Sequence, residues 1–270
     1  SDITPGINSS SPQQLTAIGD WLYFTANAGA VGYELWRTNG TVTIQAADIY
    51  NDGYSNPAEF TEFNGYLYFQ AYDATNGVEL WRTNGTTTEL VQDIRTGTDS
   101  SNPSRFTAFN SYLYFQANDG TNGYELWRTD GTTLGTTLVE DINTNVGGSS
   151  YPNYFTALGD FLYFNANDGT HGYELWRIND EGTTQSVAVP GTSAGVGCMC
   201  ARPLSAMDGR LFIAMYSDET GSEFAYLDEP TFGLPPTNRD GSVWSTALVL
   251  LAAVTAVAGV GLRMRGAPRS

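Results

Sequence analysis

The sequence predicts an all-β chain: a five-bladed, β-propeller-like repeat domain over residues 1–229, followed by one C-terminal transmembrane α-helix. Three observations carry this expectation. Glu-Leu-Trp-Arg recurs at Glu34–Arg37, Glu79–Arg82, Glu125–Arg128 and Glu174–Arg177, its tryptophans 45, 46 and 49 residues apart, and fixed periods of this size mark repeat architectures. Val, Ile, Thr, Tyr, Phe and Trp dominate the stretches between the motifs, with no long amphipathic helical pattern before residue 243. The last apolar run, 243–262, is 20 residues long and uncharged, the length that crosses a hydrocarbon core as a helix.

Each repeat carries further landmarks in a constant order. Upstream lie Trp21-Leu-Tyr-Phe24, Tyr66-Leu-Tyr-Phe69, Tyr112-Leu-Tyr-Phe115 and Phe161-Leu-Tyr-Phe164. Downstream come Asn39-Gly-Thr41, Asn84-Gly-Thr86 and Asp130-Gly-Thr132, then Asp-Ile at Asp48, Asp93 and Asp141. A Gly/Ser-rich turn and a proline (Pro57, Pro103, Pro152) end each unit. In the second unit four strands are expected near Phe60–Phe63, Tyr66–Tyr72, Val78–Thr83 and Thr88–Ile94. Asn64-Gly65 and Asn84-Gly85 join the outer pairs, and Asn-Gly suits a type I′ turn with positive φ at both central residues. Leu67-Tyr68-Phe69 is apolar at consecutive positions, so both faces of that strand require burial, whereas a half-wet sheet would alternate. Radially repeated four-stranded sheets meet that demand. An open β-solenoid is the alternative, disfavoured because neither terminal unit resembles a polar cap. A decayed fifth copy follows: Leu204–Ile213 takes the place of the Leu-Tyr-Phe landmark and Glu223-Phe-Ala225 that of Glu-Leu-Trp. Asp2-Ile3, Ser11 and Pro12 fit the Asp-Ile segment of a preceding unit, so a short closing strand is expected near Ser1–Thr4. The phase of the repeats favours a removed leader.

The repeated Glu-Leu-Trp-Arg-Thr-(Asn/Asp)-Gly-Thr resembles the ELWxxDGT repeat family, whose units of this length occur in large secreted and surface proteins. The resemblance covers about the first 229 residues and is specific in four copies. It departs from the pattern at Asn39, Asn84, Asn179–Gly182 and throughout the fifth unit. It implies a propeller-like fold and no single activity.

Composition bounds the partners. The chain has 270 residues, 29 acidic and 12 basic, the latter all arginine. Three arginines (Arg263, Arg265, Arg269) follow the apolar run and no acid does, so the nine before Val243 stand against all 29 acids, a formal −20. So acidic a surface repels a phosphate backbone and disfavours nucleic acid. Residues 230–242, with Pro230, Pro235 and Pro236, read as a linker, and 263–270 as a basic tail. Trp244 at one boundary of the apolar run and arginines at the other place the C-terminus on the cytoplasmic or stromal side. The N-terminal domain is then extracellular or lumenal, at a cell surface or in a thylakoid-type lumen. Trailing arginines argue against a GPI signal. Ala252/Ala256 and Thr255/Gly259 are small residues four apart, a face that admits a partner helix.

Chemistry-bearing residues are sparse. The only histidine, His171, aligns with Asn76 and Asn122 in a turn, so Ser-His-Asp and Cys-His catalysis find no support and the chain is expected not to be an enzyme. Cys198 and Cys200 are too close for an unstrained bridge and lack companions for a metal site. Asp73, Asp119 and Asp168 each precede Glu79, Glu125 and Glu174 by six residues across a Gly-containing turn. Such paired carboxylates suit a hard cation such as calcium. The competing reading is that the aspartate organises its own turn and the glutamate accepts neighbouring amides. Ala28 in the first unit favours the latter. Trp36, Trp81, Trp127 and Trp176 are expected between blades, with Arg37, Arg82, Arg128 and Arg177 paired to acids at blade edges. The expected role is a membrane-anchored interaction or scaffold protein that binds partner proteins, or acts as an accessory subunit of a membrane complex. A lectin-like binder of polysaccharide is the alternative, and a degenerate propeller-type hydrolase a third.

Overall fold

The computed structural model describes residues 2–4, 8–29, 32–51, 53–187, 201–217 and 221–228. Four antiparallel meanders of four strands follow one another: β1 (Gln13–Ile18), β2 (Trp21–Asn27), β3 (Tyr33–Thr38), β4 (Thr43–Ala47); β5 (Ala58–Phe63), β6 (Tyr66–Asp73), β7 (Gly77–Thr83), β8 (Thr88–Gln92); β9 (Ser104–Phe109), β10 (Tyr112–Asn118), β11 (Tyr124–Thr129), β12 (Thr137–Glu140); β13 (Asn153–Leu158), β14 (Phe161–Asn167), β15 (Tyr173–Asn179), β16 (Thr184–Ser186). A three-stranded sheet, β17 (Ala201–Met207), β18 (Arg210–Ser217) and β19 (Gly221–Asp228), comes last. The first strands of successive sheets lie side by side, β1 with β5, β5 with β9, β9 with β13 and β13 with β17. Sheets that succeed one another face to face in this way form a β-propeller.

Alternate side chains of each second strand point to opposite faces, and both faces are covered. Leu67, Phe69 and Ala71 pack with Tyr23 and Leu35 of the first sheet. Their neighbour Tyr68 points the other way, into a cluster with Leu113, Phe115 and Trp127 of the third. The same alternation joins the third sheet to the fourth (Tyr114 and Leu126 with Leu162 and Phe164) and the fourth to the fifth (Tyr163 and Leu175 with Leu211 and Ile213). Fully buried leucines and phenylalanines contribute about 1.5–3 kcal/mol each relative to exposure, and here every such contribution belongs to a pair of sheets.

The decayed fifth copy keeps the strand register. Met215 pairs with Glu223 and Ile213 with Ala225, as Ala71 pairs with Glu79 and Phe69 with Trp81. The closing strand expected near Ser1–Thr4 is not found among the described residues: 2–4 form a bend, and the Thr4 hydroxyl donates to the Asn27 carbonyl at the end of β2 (2.7 Å). Turn chemistry differs too. Asn64-Gly65 has both φ values positive, as type I′ requires, but at Asn84-Gly85 only the glycine does. The second loop spans four residues because the Asn84 carboxamide accepts the N–H groups of Thr86 and Thr87 and organises it by itself. No helix among the described residues is long and apolar enough to cross a membrane. The run 243–262, the linker, the basic tail and Cys198/Cys200 lie outside the described residues.

Candidate functional site

The glutamate that opens each motif sits on the third strand of its sheet, where its side chain meets the connector entering the next sheet. Glu34, Glu79 and Glu125 are wholly buried. One oxygen of Glu79 accepts the Ser101 N–H (2.8 Å). The other accepts the Ser101 hydroxyl (2.6 Å) and the Ile94 N–H (2.9 Å). Glu125 repeats the arrangement with Ser150 and Ile142, and Glu34 with Ser55 and Ile49. Burial pushes the Glu79 and Glu125 carboxyls up to about 7, with the serine and amide donors pulling against it. Glu34 is raised for the same reason. A protonated carboxyl keeps every contact, since its O–H donates to the serine hydroxyl while the same oxygen still accepts the isoleucine amide. The serines were not picked out from sequence, although Ser-x-Pro at Ser55–Pro57, Ser101–Pro103 and Ser150–Pro152 recurs in step with the motif.

The paired aspartates do something else. Asp73 accepts the N–H groups of Thr75 and Asn76, and Asp119 those of Thr121 and Asn122, each also taking the asparagine carboxamide. Both contacts are those of the turn-organising reading. The fourth unit breaks the symmetry. Asp168 accepts the Thr170 and His171 N–H groups, and its second oxygen lies 2.7 Å from His171 Nδ1. Glu174 is only half-buried, and one ligand atom each from Asp168, His171 and Glu174 come within 4.8 Å of one another. Burial raises Asp168, but hydrogen bonds from His171 and Thr170 outweigh it and leave the carboxyl below its usual value. The Asp168 partner raises His171, and burial together with the Asp168 charge raises Glu174. Two carboxylates with an imidazole fit a borderline transition cation at least as well as calcium, which prefers oxygen alone.

Arginines expected to pair with acids mostly lie over aromatic rings instead. Arg37 stands 4.2 Å above Trp21, Arg82 4.4 Å above Tyr66, Arg128 4.3 Å above Tyr112 and Arg177 4.3 Å above Phe161. Arg82 also pairs with Glu89 at 2.7 Å. The tryptophans Trp81, Trp127 and Trp176 lie between sheets as expected. A cavity of about 430 Å³ opens over the second sheet, between the connectors that enter and leave it, beside Tyr50, Tyr54 and Tyr72.

No family model and no curated protein matches the chain. Solved structures do. The β-propeller domain of the Trilobed protease from Pyrococcus furiosus aligns over 83% of this chain and 70% of its own length, at 8% identity and a TM-score of 0.50. A GH74 xyloglucanase from Xanthomonas campestris aligns over 83% of this chain at 14% identity and a TM-score of 0.46, and puromycin hydrolase over 80% at 14% and 0.46. The chain spans 37% of the length of each of the latter two. What these likenesses show is the fold. The expectation that the chain is not an enzyme does not stand, since the propeller it resembles is a domain of a protease; the likeness itself assigns no activity to this chain. The chain has the fold of a β-propeller.

Proposed function

We propose that the chain is a five-bladed member of the ELWxxDGT repeat family, held in a membrane by 243–262, which presents its acidic propeller to partner proteins as an interaction or scaffold module. The observation that carries this reading is how the repeated residues are used. In the second and third motifs the glutamate, leucine and tryptophan are consumed in joining a sheet to its neighbours and their connectors, and the arginine covers a ring of its own sheet, which leaves a platform with a strongly acidic surface. Such a surface selects basic partners and speeds their encounter. On this reading the propeller faces the extracellular or lumenal side, and the small-residue face at Ala252, Thr255, Ala256 and Gly259 meets a helix of the same complex. Copurification of the full chain from native membranes tests it. A stoichiometric protein partner that dissociates as salt is raised supports the proposal; a chain that purifies alone from every mild detergent defeats it.

Cation binding belongs to the same proposal, with Asp168 and Glu174, joined by His171, the best-placed donors. Calcium or zinc added to chelator-treated protein then raises the melting temperature, and an unchanged melt ends this part of the reading.

A further inference from the structure

We infer that the cavity over the second sheet, between the connectors that enter and leave it, is a binding site for a neutral saccharide. It exists because the second unit breaks the repeat. Where units one, three and four begin the third strand with Tyr33, Tyr124 and Tyr173, unit two has Val78. Tyr124 shows what the missing ring would do: its hydroxyl accepts from the Asn102 side chain (3.3 Å), and its ring stacks on Tyr151 at 5.6 Å. Tyr124 thus occupies the space between the two connectors that flank its sheet. At Val78 the matching space lies between Asn56 and Asn102, and it is open, about 430 Å³ in volume.

The walls are as irregular as the opening. Tyr50, Tyr54 and Tyr72 stand where the next two units have Arg95 and Asn143, Ser100 and Ser149, Asn118 and Asn167. Three rings gathered at one junction, absent from the same positions of the others, are not explained by the packing common to all repeats. Their geometry is fixed. Tyr50 meets Tyr72 edge-on with centroids 5.5 Å apart. Tyr54, 55% exposed, lies over Gly32, where an added Cβ would come within 1.4 Å of the ring. Glu34 holds the loop that carries two of these rings at both ends, through the Ile49 amide and through Ser55. A site so held loses little freedom when a ligand arrives.

The ligand class follows from what lines the cavity: tyrosine rings, carboxamides and, among the described residues, no charged side chain. Gln116 in the next unit donates its amide to Ser104 (2.9 Å), but Gln70 faces Ala58, which offers no hydroxyl. Its carboxamide, with that of Asn56, presents both a donor and an acceptor to the space. Aromatic faces for the C–H side of a pyranose, and amides for its hydroxyls, are complementary to a sugar ring. The negative charge of the domain opposes uronic or sulfated sugars, so the ligand is neutral. This site does not depend on the partner-protein reading above.

Calorimetric titration of the full-length chain with cellotetraose, maltotetraose and xylotetraose tests the assignment. One of them binds with a single site per chain. Tyr54→Ala weakens that binding about tenfold or more by removing a stacking face. Val78→Tyr, which restores the residue of the other units, weakens it as much without lowering the melting temperature. Failure of all three sugars to bind the unmodified chain overturns the inference. So does binding that survives Val78→Tyr, or a cavity occupied by decaproline and by none of the sugars.

Discussion

At the scale of single residues, the four letters of the motif have four separate tasks. Leu80 and its equivalents are wholly buried, the tryptophan spans two sheets and the arginine covers an aromatic ring. The glutamate closes the connector. Its replacement isolates that last task. In Glu79→Gln the amide group donates to the Ser101 hydroxyl but cannot accept the Ile94 N–H, so a buried donor is stranded at a cost of about 1–3 kcal/mol. The pH dependence follows from the same group. An unfolded glutamate titrates near ~4.3, whereas Glu79 and Glu125 are raised to about 7 in the folded chain. The folded state therefore binds more protons between these values, and stability is highest below ~4.3, falls as pH rises through about 7, and then levels. Denaturation midpoints from pH 4 to pH 8 show that fall, and Glu79→Gln removes part of it; an equally steep fall in the variant would place the titrating group elsewhere. Sequence alone offered two readings of these glutamates, because spacing places a carboxylate on a strand without saying which connector crosses it.

Strands were legible nearly to the residue, since the two-residue period acts locally, while the Asn-Gly signal held at Asn64-Gly65 and not at Asn84-Gly85. What sequence did not announce is a β-bulge in the first strand of each repeat. The register slips between Ala58 and Thr61, and the residues that take up the slip, Gln14, Glu59, Arg105 and Tyr154, all have positive φ. No glycine marks the position, so no local signal existed. The bulge serves the assembly of sheets: the Arg105 N–H donates to Glu59 Oε2, one repeat away (3.0 Å). That bond uses the backbone, and the Arg105 side chain is exposed. Arg105→Gly keeps the amide while relieving a left-handed conformation that costs a non-glycine residue about 1 kcal/mol. Glycine's own flexibility offsets part of the gain. Chemical denaturation should show an unchanged or slightly raised midpoint for Arg105→Gly and a lowered one for Arg105→Pro, which deletes the N–H. A glycine variant as damaged as the proline variant would mean that the side chain, not the bulge, matters here.

Across the whole molecule, apolar stabilisation lies in the seams between sheets, so a position's cost depends on whether its sheet has a neighbour on that side. The sequence treats Leu15, Phe60, Phe106 and Phe155 alike, each four residues before the first hairpin of its unit. The structure does not: Phe60, Phe106 and Phe155 pack into the seams, while Leu15 is 61% exposed. On the far side Phe224 and Tyr226 of the last sheet are 64% and 48% exposed. Covering these two outer faces by each other would need contacts more than 200 residues apart in sequence, and periodicity carries no information about them. Truncation of a seam aromatic such as Phe60→Ala should cost about 3–5 kcal/mol, the usual range for buried phenylalanines, reduced in proportion to its partial exposure. Leu15→Ala should cost about 1 kcal/mol or less, since little area leaves contact with protein. Denaturant titration of the two variants separates two states of the assembly. Unequal costs match an uncovered first sheet. Equal costs would mean that Leu15 is covered in solution, as a ring closed between the first and fifth sheets requires.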